Sequence, residues 1–139
     1  MSVFVGARCS RPVSSEEKMG IQKFEDLIAW QKAYALCLEI YAMSAKFPKE
    51  EQYGLSTHIR KTALSCPSNI AEGFERKNDN EFNTFIRIAL GSLGELKTQL
   101  LLAKDLRYLP EDQFSSGIEK INETRRILHG LRKAMSKEN

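Results

Sequence analysis

Cysteine is scarce: Cys9, Cys37 and Cys66 form an odd set with no CxxC pair, so neither a disulfide framework nor a zinc cluster has the spacing it needs. No run reaches the roughly 18 apolar residues of a membrane-spanning helix. The opening stretch places only Val3, Phe4, Val5 and Ala7 before Arg8, too short for the hydrophobic region of a signal peptide. The expectation is a cytoplasmic protein with free thiols and no membrane partner. Charge of one sign is also lacking, because 21 basic residues face 18 acidic ones for a net +3. That is far from the cationic balance that points to nucleic acid by itself. Glycine (8) and proline (4) are too few for a collagen-like or low-complexity chain, and 42% hydrophobic with 28% charged residues excludes wholesale disorder. A chain of 139 residues fits one domain, which buries about two-thirds of its unfolded surface.

Catalytic patterns are missing too. His58 and His129 are far apart, and neither belongs to an HExxH or paired-carboxylate motif. Ser65 and Ser68 flank Pro67 and are read as bonding the carbonyls that a helical proline frees. Glu72 and Arg76 have the spacing of an ion pair within a helix, and Cys37 and Cys66 read as small buried hydrophobes. The expectation is a protein that is not an enzyme and has no catalytic residues, metal site or cofactor.

What the chain does contain is helical period. Residues 1–23 show none and are expected to be a flexible tail, with Met19 as an alternative start, while 24–139 form the folded domain. Removing the tail leaves 17 basic and 16 acidic residues, a nearly neutral body. From Phe24 to Lys46, Leu27, Tyr34 and Tyr41 repeat at sevens while Trp30, Ala33, Cys37, Ile40 and Phe47 mark a helical face. Glu25, Lys32, Glu39 and Lys46 confine most of this segment's charge to one stripe, predicting a helix that meets more than its own bundle. Pro48 and Gly54 break the pattern. Leu55, Ile59, Cys66, Ile70 and Phe74 then line a second helix, with a bend expected at Leu64–Pro67. Asn78 and Glu81 have capping-box spacing. Phe82, Ile86, Ala89, Leu93, Leu96, Leu100 and Ala103 follow as a bundle seam. Pro110, Glu111 and Asp112 open a fourth helix, carrying Phe114, Ile118, Ile121, Leu128 and Met135. Short links predict an all-α, up-down-up-down antiparallel four-helix bundle with a kinked second helix. Gly91 and Gly94 each cost about 1 kcal/mol in a helix interior and are read as places of close helix approach. A phosphate loop is excluded there, because mid-helix amides are already bonded.

Six runs carry a resemblance: Trp30-Gln31-Lys32-Ala33; Phe47-Pro48-Lys49-Glu50-Glu51 with Tyr53-Gly54-Leu55; Ile59-Arg60; Pro67-Ser68-Asn69-Ile70-Ala71-Glu72-Gly73; Ile88-Ala89-Leu90-Gly91-Ser92-Leu93 with Glu95-Leu96; and Leu102-Ala103-Lys104-Asp105-Leu106. In this order, from about Phe24 to Met135, the chain resembles the small four-helix-bundle proteins encoded in intervening sequences of bacterial 23S ribosomal RNA genes. The resemblance implies the same bundle and a ring-shaped homopentamer. It is also similar to the accessory protein of diversity-generating retroelements, a basic pentamer that implies RNA or DNA as partner. Glu75 stands where that family often has a glycine, so the second helix is expected to run on.

Basic doublets supply the candidate nucleic-acid-binding residues: Arg60-Lys61, Arg76-Lys77, Arg125-Arg126 and Arg132-Lys133. Singly they read as solvated faces, but a ring repeats each doublet by rotation and concentrates charge that a neutral subunit lacks. Trp30, Tyr34, Leu38 and Tyr41, with Leu90, Leu101 and Leu102, exceed the apolar surface one bundle can hide, which predicts a homo-oligomer. Two functions are open: a non-enzymatic nucleic-acid accessory or scaffold, and an oligomeric module whose surface binds another protein.

Overall fold

The structure is a computed structural model that describes residues 20–137; Cys9 and most of the expected tail lie outside them. The first helix starts later than its period implies. Phe24–Asp26 make one 3-10 turn, Leu27 is extended at φ −73° and ψ 127°, and α1 runs Ile28–Ser44. The interruption lets Leu27 sink into the core while the Phe24 ring folds back on Trp30, centroids 5.3 Å apart. A second 3-10 turn at Lys49–Glu51 leads into α2, Leu55–Glu75, which is one helix through the buried Pro67 and includes Glu75 as expected. Helix α3 is Asp79–Asp105 and α4 is Glu111–Lys137. All four are α-helical, and among the described residues there is no strand.

The helix ends are made by specific groups. Asn78 sits in extended backbone and its Oδ1 accepts the Glu81 N–H at 3.0 Å, which makes the Asn78 half of the expected capping box, while the Glu81 carboxylate turns to Arg76 instead of closing it. At the start of α2 the Glu51 carboxylate accepts the Leu55 N–H at 3.0 Å and the Tyr108 hydroxyl at 2.8 Å, tying the α1–α2 loop to the α3–α4 loop. Those bonds, the Leu55 amide first, hold the Glu51 carboxyl below its ordinary range, and the same contact raises the Tyr108 phenol.

Each helix packs on the next, and α4 closes back against α1. Cross-helix contacts join the end of one helix to the start of its neighbour: Ser44 late in α1 with Arg60 early in α2, and Asn83 early in α3 with Arg132 late in α4. This is the register of helices running in opposite directions. The α3 seam is fully buried from Phe82 to Ala103, and Ile121, Leu128 and Met135 of α4 meet it. In α1 the buried positions are Ala29, Ala33, Leu36, Cys37, Ile40 and Met43, whereas Tyr34 and Tyr41 of the sevenfold pattern are exposed. The charged stripe of α1 faces α4, where Lys32 pairs with Glu123 at 3.2 Å and Glu39 pairs with Lys120.

The α2–α3 interface departs from expectation twice. The Ser65 hydroxyl does not turn back on its own helix; it bonds the Ser92 hydroxyl at 2.8 Å, and Asn69 donates to both the Ser65 carbonyl and its hydroxyl. A neighbouring helix offers a hydroxyl within reach, and pairing with it also satisfies the buried Ser92. Gly91 and Gly94 are not places of close approach within the subunit, because a Cβ on either meets nothing within 4 Å. Both lie off the buried seam of α3. The close approach is at Gly73, where an added Cβ would lie 2.7 Å from Phe85 Cβ and 2.8 Å from Phe82 Cδ1.

Gly73→Ala should therefore destabilise the fold by about 1–3 kcal/mol, the usual effect of overpacking a tight contact, despite alanine's better helix propensity; urea denaturation checks this. The Glu51 tie predicts a pH dependence. A carboxyl held low in the folded state contributes stability above the ordinary carboxylate range and loses it as pH falls through its folded value. Denaturation at pH 7, 5 and 3 should show the gap between wild type and Glu51→Gln closing as pH falls.

Candidate nucleic-acid interface

The four doublets divide by what already holds them. Arg60 is half-buried and pinned: its Nε donates to Ser44 Oγ at 2.7 Å, an Nη donates to the Tyr41 carbonyl at 3.3 Å, and its guanidinium lies 5.0 Å from the Tyr41 ring centroid. It closes the α1–α2 groove. Arg76 pairs with Glu72 at 2.9 Å, confirming the expected ion pair, contacts Glu81 at 3.7 Å and lies over Phe85. Lys77 takes a left-handed backbone, φ 54°, and sets its ammonium 4.2 Å from the Phe74 ring centroid. These three cations are engaged with the subunit's own groups. Lys61, by contrast, is exposed.

Helix α4 is different. Arg125, His129, Arg132 and Ser136 recur at steps of three and four, and Arg126 and Lys133 stand seven apart on the flank of the same face. The opposite side of α4 carries Lys120 and Glu123, which answer α1. The result is a basic stripe about 12 Å long, from the 1.5 Å rise per residue, on the side of α4 that faces α3. Arg132 is its fixed point, donating from Nε to Asn83 Oδ1 at 2.9 Å. Arg126 and Lys133 are exposed and Arg125 is half-buried. Cation side chains in such an array reach phosphate oxygens without rearranging the core.

The chain brings Arg76–Lys77 and Arg132–Lys133 to one end of the bundle. Asn78 follows Lys77 and caps α3, and Asn83 on α3 holds Arg132. Arg60–Lys61 begin α2 and lie at the other end, so the eight candidates do not form one surface. Three residues in or beside the stripe carry no sequence motif: His129 within it on α4, and Asn83 and exposed Arg87, one turn further along, on α3. The only sequence signal for His129 was its spacing of four from Arg125 and three from Arg132.

The thiols stand apart from this surface. Cys37 and Cys66 are free and buried; burial raises both, and burial with Cys37 nearby pushes Cys66 up to about 12. Among the described residues, no group of three His, Cys, Asp or Glu side chains is placed to hold a metal ion, and no helix is long and apolar enough to cross a membrane.

A family model described as 23S rRNA-intervening sequence protein matches residues 25–130, which takes in α1 to α3 and α4 as far as Gly130, with Arg125 and Arg126 inside the match and Arg132 and Lys133 beyond it. No curated protein matches the chain.

Proposed function

The chain belongs to the 23S rRNA-intervening sequence protein family, and from that premise we propose that it is a non-enzymatic, cytoplasmic, oligomeric accessory protein that binds nucleic acid through the basic stripe of α4. The observation that carries the reading is the division of charge. Lys32, Arg76 and Lys120 lie in ion pairs with Glu123, Glu72, Glu81 and Glu39, whereas Arg125, Arg126 and Lys133 stand together along α4 outside those pairs. Binding of this kind rests on phosphate contacts, discriminates sequence weakly and falls steeply with salt.

The oligomer is supported by apolar surface the subunit does not cover. Tyr34, Leu38 and Tyr41 form one exposed strip on α1, with Leu38 56% exposed, and Leu64 extends it onto α2 beyond Arg60. A second surface on α3 carries Ile88, Leu101 and Leu102 around the open Gly91 and Gly94. The glycines that make no close approach inside the subunit suit close approach by another. Two different apolar faces on one chain favour a head-to-tail contact, which closes into a ring or grows into a filament; the family resemblance favours a ring of five. The same apolar surface favours the second reading, an oligomeric module that binds another protein.

Fluorescence anisotropy with labelled structured RNA and duplex DNA at two salt concentrations separates the readings. The proposal expects a salt-sensitive signal, and Gln at Arg125, Arg126, Arg132 and Lys133 together should lower both affinity and salt slope. Lys61→Gln should leave both unchanged. No signal at low salt up to tens of micromolar protein would overturn nucleic-acid binding and leave the protein-binding reading. Sedimentation tests assembly: a mass well above the 15.8 kDa subunit is expected, with Leu38→Glu shifting it to monomer, and a wild-type mass of one subunit would refute the ring.

A further inference from the structure

The first turns of α3 and the last turns of α4 enclose a cleft of about 310 Å³, with Asp79, Asn80 and Asn83 on one wall and His129, Arg132 and Lys133 on the other. That volume lies at the lower end of the range that small-molecule sites occupy, ~300–1,000 Å³. The two walls differ in chemistry. From α4 come three nitrogen side chains on one helical face, and the Nε bond of Arg132 to Asn83, 2.9 Å, fixes the guanidinium while using one of its five N–H donors. From α3 come two carboxamides and a carboxylate, groups that pair with base edges and sugar hydroxyls. A bare phosphate has no use for the α3 wall.

We propose that this cleft holds one nucleotide unit, its phosphate against His129, Arg132 and Lys133 and its base and ribose against Asn80 and Asn83. The unit is a nucleoside monophosphate, whether free or the terminal residue of an RNA strand. The inference deepens the nucleic-acid reading above and rests on it for the strand as source. It gives the basic stripe an end point at which a strand is gripped by more than its backbone charge.

The chain has only two histidines, His58 and His129, so the imidazole proton resonances report on the cleft directly, with the exposed His58 on α2 as an internal reference. Titration of the full chain with AMP, with inorganic phosphate and with a single-stranded hexaribonucleotide should move the His129 resonances saturably for at least one nucleotide probe and leave His58 in place. Response to AMP assigns a free nucleotide, and response to the hexanucleotide alone assigns the strand. Arg132→Gln should weaken that response about tenfold, the loss expected of one charge-assisted contact. Lys133→Gln, at an exposed position, should weaken it too while leaving the thermal unfolding unchanged. Asn80→Ala should weaken the nucleotide response and spare that to phosphate. Stationary His129 resonances with both nucleotide probes, equal movement of both histidines, or phosphate binding as well as the nucleotide would each overturn the proposal. If structured RNA still binds by anisotropy while His129 is silent, the cleft is rejected and the stripe survives; if AMP moves His129 while RNA does not bind, the reverse holds.

Discussion

The missing Cβ of Gly73 is the constraint on which the rest of the bundle depends. It allows the Phe82 and Phe85 side chains at the start of α3 to lie against the backbone of α2, and the Phe74 and Phe82 rings then meet edge to face with centroids 6.1 Å apart. With that approach fixed, the α2–α3 connection shrinks to Arg76, Lys77 and Asn78. The polar groups further along come into register: Ser65 with Ser92, and Thr62 accepting from Gln99 Nε2 at 3.0 Å. The basic stripe follows indirectly, because Asn83, which holds Arg132, is positioned by the same first turns of α3.

Much of the fold was legible because helical periodicity is a direct statement about burial. The α3 seam, written in the sequence as steps of three and four from Phe82 to Ala103, is buried throughout, and the Asn78 cap declares itself by one residue spacing. Periodicity was a weaker guide in α1. Leu27, Tyr34 and Tyr41 share a period of seven, yet only Leu27 is buried, because an aromatic ring at the edge of an apolar stripe satisfies the pattern while lying on the surface. The glycines of α3 differ from expectation for a related reason. A helical glycine reports that a side chain is dispensable, and only the neighbouring helix tells whether the space is filled, as at Gly73, or open, as at Gly91 and Gly94.

The candidate interface was less legible, because a doublet in a sequence says nothing of its partners. Arg60, Arg76 and Lys77 have the same doublet pattern as Arg125 and Arg126, yet Arg76 folds onto a carboxylate while Arg60 and Lys77 lie against the Tyr41 and Phe74 rings. Net charge is likewise a poor guide when acidic residues are drawn to one side of a helix. Glu123 faces α1 while Arg126 and Lys133 face away from it, so the later turns of one helix hold both an ion-paired face and a cationic one. The cleft at its end joins residues about fifty positions apart, which no local motif can display.

The order of packing also governs how the chain reaches this structure. Every helix makes its main contacts with its sequence neighbours, and among helix pairs it is α1–α4 that joins distant segments, beside the Glu51–Tyr108 tie between loops. Folding rate rises as contacting residues lie closer along the chain, and here the α2–α3 hairpin needs to close a loop of only a few residues before its interface forms. That hairpin is the natural nucleus, and the meeting of the two terminal helices, held by exposed ion pairs such as Lys32 with Glu123, comes last. The same ordering makes that seam the first to open in the native state, so amide exchange should spread from the α1–α4 edge while the α2–α3 pair stays protected to the limit of global unfolding.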